Sequence, residues 1–523
     1  MRQPMKAAVG ALVTACWAGS ILVTSPPAGA ATYAESAVVQ VSGNAPSATG
    51  DSPFASCDVG SGGFGTDDVN YLNSETGARL AVNPLDPSNL IAGYQQDVWF
   101  STGSRGAVTA VSHDGGSTWR ASVPHFSVCA GGTAANGGGF ERARAPQVTF
   151  AANGNAYVID APFNAVRDRR TGILVARSND GGSSWSEPVQ LVNEPVIGSG
   201  YVSNQAAEIV ADPSDSNIVY ASWQRVHSRG SGVGWTAEGS FPHRRDGFVV
   251  DEMFTRTTDG GRTWEPTRAI FQPHTQYDSW GHQLAALADG TIVDLVARPV
   301  GNPRTGEEWE LAAIRSTDRG RTWSDPTTVA PLFAVADRDP DTGGGISGGS
   351  VSVAADVTPT SPGYGTLYAV WGGRTTAPDS PAADNDIILV TSTDGGRTWS
   401  APARVDSSPA GVDALLPAVA VAMDGTVAVS YYDFRTNTDA PGALTDVWLT
   451  HCHAGSGCGT PSKWNEIHVG GPFDIELGPT CPIGLNIGFT MGLQASGNQF
   501  LALFAQTAAT DRADQYLAVV TPQ

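Results

Sequence analysis

Ser112-His-Asp-Gly-Gly-Ser-Thr-Trp119 is written five times in this chain. It returns as Ser178-Asn-Asp-Gly-Gly-Ser-Ser-Trp185, Thr257-Thr-Asp-Gly-Gly-Arg-Thr-Trp264, Ser316-Thr-Asp-Arg-Gly-Arg-Thr-Trp323 and Ser392-Thr-Asp-Gly-Gly-Arg-Thr-Trp399. Its aspartates (Asp114, Asp180, Asp259, Asp318, Asp394) stand 66, 79, 59 and 76 residues apart, so one structural unit recurs with connections of varying length. Short β-rich runs such as Val108-Thr-Ala-Val111 and Ile387-Ile-Leu-Val390 lead into the copies, and further strand signals follow. Each copy therefore reads as a hairpin turn. The carboxylate accepts turn amides, the glycines supply φ > 0, and the Trp carries a large ring to bury between neighbouring units. Five identical active sites in one chain are implausible, so these aspartates are read as structural.

Around each copy runs the same pattern: an inner strand, a second strand, a long loop, a third strand, the octapeptide, then a fourth strand. The units begin near Glu75, Arg144, Asn204, Trp280 and Gly348. A sixth unit (Pro417-Ala-Val-Ala-Val421, Val427-Ala-Val-Ser-Tyr-Tyr432) lacks the octapeptide; in its place stand Cys452-His-Ala-Gly-Ser-Gly-Cys458 and then Trp464. A local disulfide is expected to replace the turn there. A seventh unit offers three strands, and Ala37-Val-Val-Gln-Val41 from the N-terminus can supply the fourth, closing a ring without free edges. The expected fold class is all-β: a β-propeller, seven blades favoured, six the alternative.

The octapeptide resembles the Asp-box of the sialidase-like (BNR) β-propellers, and the resemblance covers nearly all the chain after its first 30 residues. It implies a propeller more directly than an activity, because such boxes stand in enzymes and non-enzymes alike.

Residues 1–30 read as a signal peptide: Arg2 and Lys6, an apolar run from Ala7 to Val23, and Ala28-Gly-Ala30 as cleavage site. A lipoprotein site at Val13-Thr-Ala-Cys16 is disfavoured because the apolar run continues past Cys16. Residues 31–70 are taken as an N-terminal strand and a Gly/Ser-rich loop, and 71–523 as a single propeller domain. The expectation is a secreted, extracellular, monomeric protein. Its formal net charge of −21 becomes −23 when Arg2 and Lys6 leave with no acidic residue, which argues against nucleic acid or anionic membrane as partner. Lys463 is then the only lysine, so anion recognition falls to arginine. Five cysteines remain. Cys452–Cys458 is the local pair, and Cys57–Cys129 leaves Cys481 free, with Cys57–Cys481 the alternative. No metal ligand set and no cofactor is read, although the acidic loop Asp337-Arg-Asp-Pro-Asp341 offers oxygens that calcium would accept.

In a propeller the octapeptides fall on one face. The opposite face collects the starts of inner strands and the ends of second strands, where long loops carry function. Polar and aromatic residues at those positions are Arg144, Glu208, His282 and Gln283 at inner-strand starts and Gln95, Gln96, Asp160, Trp223, Arg225, Arg298, Trp371, Arg374, Tyr431, Tyr432, Asp433 and Arg435 at second-strand ends, and the loop from Val226 to Asp251 adds Trp235, His243, Arg244 and Arg245. Arginines, carboxylates and rings converging on one mouth suit an acidic carbohydrate.

The family resemblance assigns some of these. Arg144-Ala-Pro146 resembles the Arg-x-Pro motif that supplies a carboxylate-binding arginine. Asp168 stands roughly where the acid/base aspartate is found, and Arg298 is placed as a second arginine. Departures are a missing glutamate near Gly281-His282 and Phe489 where a nucleophilic Tyr is expected; Tyr432 and Tyr277 are the substitutes considered. The expected function is a sialidase-like glycoside hydrolase on acidic glycans. Arg144, Arg298 and Arg435 would bind the carboxylate, assisted by Arg225, Arg374 and Trp223. Glu208, Tyr432, Asp433, Asp168 and His282 are the catalytic candidates. The alternatives are a polysaccharide lyase using His282 and a Tyr, and a non-catalytic glycan- or protein-binding propeller.

Overall fold

The computed structural model describes residues 32–42, 52–57, 68–144, 146–165, 168–195, 202–228, 248–272, 280–300, 308–333, 336–348, 351–377, 384–509 and 511–523. The signal-peptide assignment, Tyr277, and Trp235 through Arg245 of the long loop lie outside the described residues. Among the described residues the chain forms seven four-stranded antiparallel sheets, arranged as a seven-bladed β-propeller. Blade 1 takes its strands from Glu75–Asn83, Asp86–Val98, Ser104–Ser112 and Arg120–Ser122. Blades 2 to 6 repeat this order, with inner strands Gln147–Phe150, Val202–Ala211, Trp280–Ala286, Ser352–Ala355 and Ala414–Val421. In blade 7, Gly492–Ser496, Gln499–Gln506 and Asp514–Pro522 are completed by Tyr33–Gln40 from the N-terminus, paired antiparallel from Tyr33↔Pro522 to Gln40↔Tyr516.

Each of the seven seams between adjacent blades holds its own buried apolar cluster. Leu80, Leu90 and Leu517 sit between blades 1 and 7, for example, and Tyr157, Ile173 and Trp223 between blades 2 and 3. The Trp ending each octapeptide packs into the cluster shared with the preceding blade: Trp119, Trp185, Trp264, Trp323 and Trp399. This is the expected burial between units.

The turns work as their chemistry dictates. In the first, Thr118 donates to Asp114 through both its amide (2.8 Å) and its hydroxyl (2.6 Å), and the Gly116 amide donates to Ser112 Oγ at 2.9 Å. Hydrogen bonds from Thr118 hold the Asp114 carboxyl down at about 2, and Asp259, Asp318 and Asp394 are held there in the same way. The two glycines differ in purpose. Both have φ > 0, but a Cβ on Gly115 would meet nothing within 4 Å, while one on Gly116 would fall 2.5 Å from Leu517 of blade 7. The fourth copy replaces only the first glycine, with Arg319 at φ 59°. It keeps the second, Gly320, where a Cβ would fall 2.5 Å from the Phe254 ring.

Blade 6 carries the expected disulfide, Cys452–Cys458. Cys452 pairs with Val427, the register position at which Ser112 pairs with Leu90 and Ser392 with Leu367. Trp464 Nε1 donates to the Cys458 carbonyl at 2.8 Å, as Trp119 Nε1 donates to the Gly116 carbonyl at 2.9 Å. Cys57 pairs with Cys129, and Cys481 is free.

Candidate functional site

The octapeptide turns share a face with the turns between inner and second strands: Gly115 N donates to Ser88 O, Gly260 N to Asn217 O and Arg319 N to Gly290 O. The opposite face is therefore formed by inner-strand starts and second-strand ends. Its inner-strand starts are irregular. Register shifts fall at Thr76/Arg79, Gln205/Glu208, Trp280/His282 and Leu415/Ala418, with Gly77, Ala206, Gly281 and Leu416 at positive φ within them. Such bulges re-aim side chains at the rims of closed sheets.

Three of the sequence candidates meet at the seam of blades 2 and 3, around the buried Asn204. Arg144 Nη1 donates to the Asn204 carbonyl (3.2 Å), Ser203 Oγ (3.2 Å) and Gln205 Oε1 (3.5 Å), and its guanidinium lies 4.5 Å over the Phe163 ring. Trp223 Nε1 donates to Asn204 Oδ1 at 2.9 Å. Asn204 Nδ2 donates to Glu194, which Arg225 grips through Nε at 3.0 Å and Nη2 at 2.5 Å. The Arg144 amide donates to Asp160, a fully buried carboxyl that burial pushes up to about 7. Asp168 lies in the loop after Phe163, its side chain 55% exposed, with Asn164 Nδ2 donating to it at 2.7 Å.

The other arginines do not converge on the mouth, and this corrects the expectation of a single cluster. Each is turned along its own blade onto a carboxylate: Arg298 to Glu310 (2.7 Å), Arg374 to Asp384 (3.0 Å), and Arg435 to both Asp433 and Glu466 (2.5 Å each). Arg435 also lies 3.8 Å over the Trp448 ring. Burial removes two further candidates from the mouth. Trp223 is fully buried in the blade 2–3 cluster. Tyr432 is buried between blades 6 and 7, where its hydroxyl donates to Ala505 O (3.2 Å) and accepts from Ala505 N (2.9 Å). Second-strand side chains face the neighbouring blade, so their position in sequence at the mouth does not aim them into it.

Glu208 and His282 point inward from their bulges. Glu208 Oε1 meets Arg79 Nη2 of blade 1 at 3.2 Å, and burial raises the carboxyl. His282 is enclosed: Nδ1 lies 3.1 Å from Asp294 Oδ1 and 3.8 Å from Glu252 Oε2, and Nε2 lies 2.5 Å from Ala206 O. Burial opposes its charge, but Asp294, Glu252 and Glu208 outweigh it and push the imidazole up to about 10.

One pair of carboxyls on this face went unread as acid/base candidates. Asn385, buried at the start of blade 5's third strand, donates from its amide to Asp413 at 2.6 Å and from Nδ2 to Asp337 at 2.8 Å. Burial and then Asp413 push Asp337 up to about 7, and burial raises Asp413. Asp337 is visible in sequence only as the head of an acidic loop, and Asp413 only as one polar residue before an apolar strand.

No protein family and no curated protein matches this chain. Solved structures with a similar shape include a Penicillium chrysogenum alpha-L-arabinanase complexed with arabinobiose (13% identity, 86% of this chain and 98% of that one, TM-score 0.42). A leech intramolecular trans-sialidase is 12% identical over 73% of this chain and 68% of that one (TM-score 0.43). An ulvan lyase of a polysaccharide lyase family is 10% identical over 86% and 95% (TM-score 0.46).

Proposed function

We propose that this protein is a secreted carbohydrate-active enzyme, a glycoside hydrolase that takes an acidic glycan at the loop-bearing face of its propeller. The observation that carries the proposal is Arg144. It stands at the head of blade 2's inner strand, its guanidinium spread over Phe163 and bonded to Ser203, Asn204 and Gln205, and the half-exposed Asp168 lies in the loop that follows Phe163. In this reading the guanidinium faces the carboxylate of the sugar, and the Phe163 ring beside it suits a sugar face. Asp168, held below its ordinary value by Asn164 and Arg170 against the pull of burial, then stays ionised and acts as the base, and Asp337 with Asp413, both raised by burial, is a second carboxyl pair that can supply the acid. Arg225, Arg298, Arg374 and Arg435 are each held by a carboxylate and are not given a ligand role in this reading. The disulfides and the signal-like first 30 residues support export.

The test is hydrolysis of a fluorogenic α-sialoside and of uronic-acid oligosaccharides by wild type and by Arg144→Ala. Loss of one charge-assisted contact predicts a roughly 10- to 100-fold fall in kcat/KM. Equal turnover by both proteins ends the role of Arg144. A second reading, a glycan-binding propeller without turnover, is favoured by the enclosure of Tyr432 and His282. It predicts binding of the same oligosaccharides with no product released.

A further inference from the structure

The seam between blades 3 and 4 differs from its neighbours. Its apolar packing is divided into two small groups, Ile218, Tyr220, Phe254, Leu284, Ala286 and Ile292 in one and Val296, Ala312 and Ile314 in the other. Between blade 3's third strand and blade 4's first two lies a buried polar cluster: Glu252, His282 and Asp294, none with a side chain more than 1% exposed. We propose that this cluster is a structural binding site for a divalent transition ion of the zinc class, held by His282 Nδ1, Asp294 Oδ1 and Glu252 Oε2.

Three observations carry this. The first is spacing. The three donor atoms lie within 4.8 Å of one another, with 3.1 and 3.8 Å from His282 Nδ1 to the two carboxylate oxygens. Metal–ligand bonds of about 2.0–2.1 Å in tetrahedral geometry separate neighbouring donors by about 3.4 Å. The second is outer support. His282 Nε2 is fixed at 2.5 Å on the carbonyl of Ala206, a non-glycine residue at φ 50° whose left-handed backbone presents that oxygen. Glu252 Oε1 receives Gln224 Nε2 at 3.0 Å, which leaves Oε2 toward His282. A ring nitrogen donated to a backbone carbonyl and a carboxylate steadied by an amide are what orient metal ligands. The third is unspent oxygen. Asp294 Oδ2 and Ser222 Oγ are fully buried and, among the described residues, without a partner. Ser222 stands opposite Glu208 and two residues before Gln224, on the same face of the blade as Glu252.

Charge agrees with the geometry. Among the described residues, Glu208, Glu252 and Asp294 face Arg79 and His282. Two of these carboxylates belong to the cluster itself, a donor set of the sign that a divalent ion requires. One imidazole with carboxylates suits zinc or manganese better than calcium.

The test is the metal content of the full chain, purified from zinc-supplemented culture and passed over chelating resin. The proposal expects about one zinc per wild-type chain and almost none in His282→Gln. Gln224→Leu, which leaves all three ligands in place, is expected to weaken zinc retention against a competing chelator by roughly tenfold or more. Cobalt grown into the wild type should show a visible ligand-field spectrum that Asp294→Asn changes. Wild type free of metal after growth in zinc or in manganese overturns the proposal. So does zinc retained equally by wild type, His282→Gln and Gln224→Leu.

Discussion

Opening the Cys452–Cys458 bridge should loosen blade 6 and leave the rest of the ring alone. The bridge closes a loop with a sequence separation of only 6, so chain entropy assigns it about 2.2 kcal/mol of stabilisation. The Cys57–Cys129 bridge, with a separation of 72, would be assigned about 4.4 kcal/mol on the same basis. Because Cys452 occupies the register position of the octapeptide serine, the short bridge does the work that Asp114 and its equivalents do elsewhere. They pin a turn with hydrogen bonds from Thr118, and blade 6 has a covalent link in their place. In Cys452→Ser/Cys458→Ser, about 2.2 kcal/mol corresponds to a roughly 40-fold rise in local opening. The Trp464 to Cys458 contact and backbone bonds such as Ala454 N to Gly425 O would remain, without the covalent link.

A protein of this size is expected to unfold irreversibly, so the assay is native-state hydrogen exchange by mass spectrometry rather than a melting temperature. Peptides spanning residues 444–474 should lose protection by that factor, and peptides from blades 1 to 3 should not change. Replacing the segment from Cys452 to Trp464 with the octapeptide Ser392–Trp399 should restore protection. Unchanged exchange in blade 6 of the double variant would refute the reasoning, because the turn would then hold itself. A uniform loss across all blades would refute it as well, because the bridge would then support the whole ring rather than one hairpin.

Three further outcomes follow from the same structure. A chain beginning at Val41 should lose exchange protection along Asp514–Pro522 and self-associate through that bare edge, and a synthetic peptide of residues 32–42 should reverse both in light scattering and exchange. Gly115→Ala, with open space around its Cβ, should cost about 1 kcal/mol for its positive φ. Gly320→Ala, driven into Phe254, should cost roughly 3 kcal/mol or more, measured by urea denaturation or by exchange. Stability should rise on acidification from pH 7 toward pH 5. Burial raises Asp160 and Asp337 to about 7 and Asp386 to about 6, so the folded state binds protons that the unfolded chain, near 3.8, does not. His451, held down to about 4 by burial, offsets part of this gain below its ordinary value of 6.5. Below about pH 4 the trend reverses as the turn aspartates, held near 2, are titrated. A monotonic loss of stability from pH 7 downward would contradict it.

The fold was legible because its signals are local and repeated. The Asp-Gly-Gly turn needs a carboxylate, two positive φ values and a ring within eight residues, and nothing outside the octapeptide is required to read it. Even its exceptions are local. Cys452 and Trp464 announce the sixth turn, and Ala37 to Val41 carry the pattern of a strand with no partner nearby, which the seventh blade supplies. The second glycine shows where this ends. Its need follows from the preceding blade, from Leu517 against Gly116 and Phe254 against Gly320, and the sequence does not state that contact.

The mouth was only half legible, and for the same reason. Position along a strand tells which face of the propeller a residue approaches, but side-chain direction depends on parity and on the bulges at the inner-strand starts. Arg298, Arg374 and Arg435 reach the right end of their strands and then turn sideways onto Glu310, Asp384 and Glu466. Those carboxylates lie 12, 10 and 31 residues further on, beyond the reach of any local motif. Glu208 and His282 follow shifts of register at Gln205 and Trp280 that no composition announces. Ala206 is the sharpest case. An alanine in the left-handed region looks like strain without purpose until His282, 76 residues later, is found on its carbonyl, with Asp294 and Glu252 beyond it. Ala206 shares its positive-φ bulge with Gly77, Gly281 and Leu416, but among the described residues it is at this blade alone that the bulge supports the buried cluster proposed to hold a divalent ion.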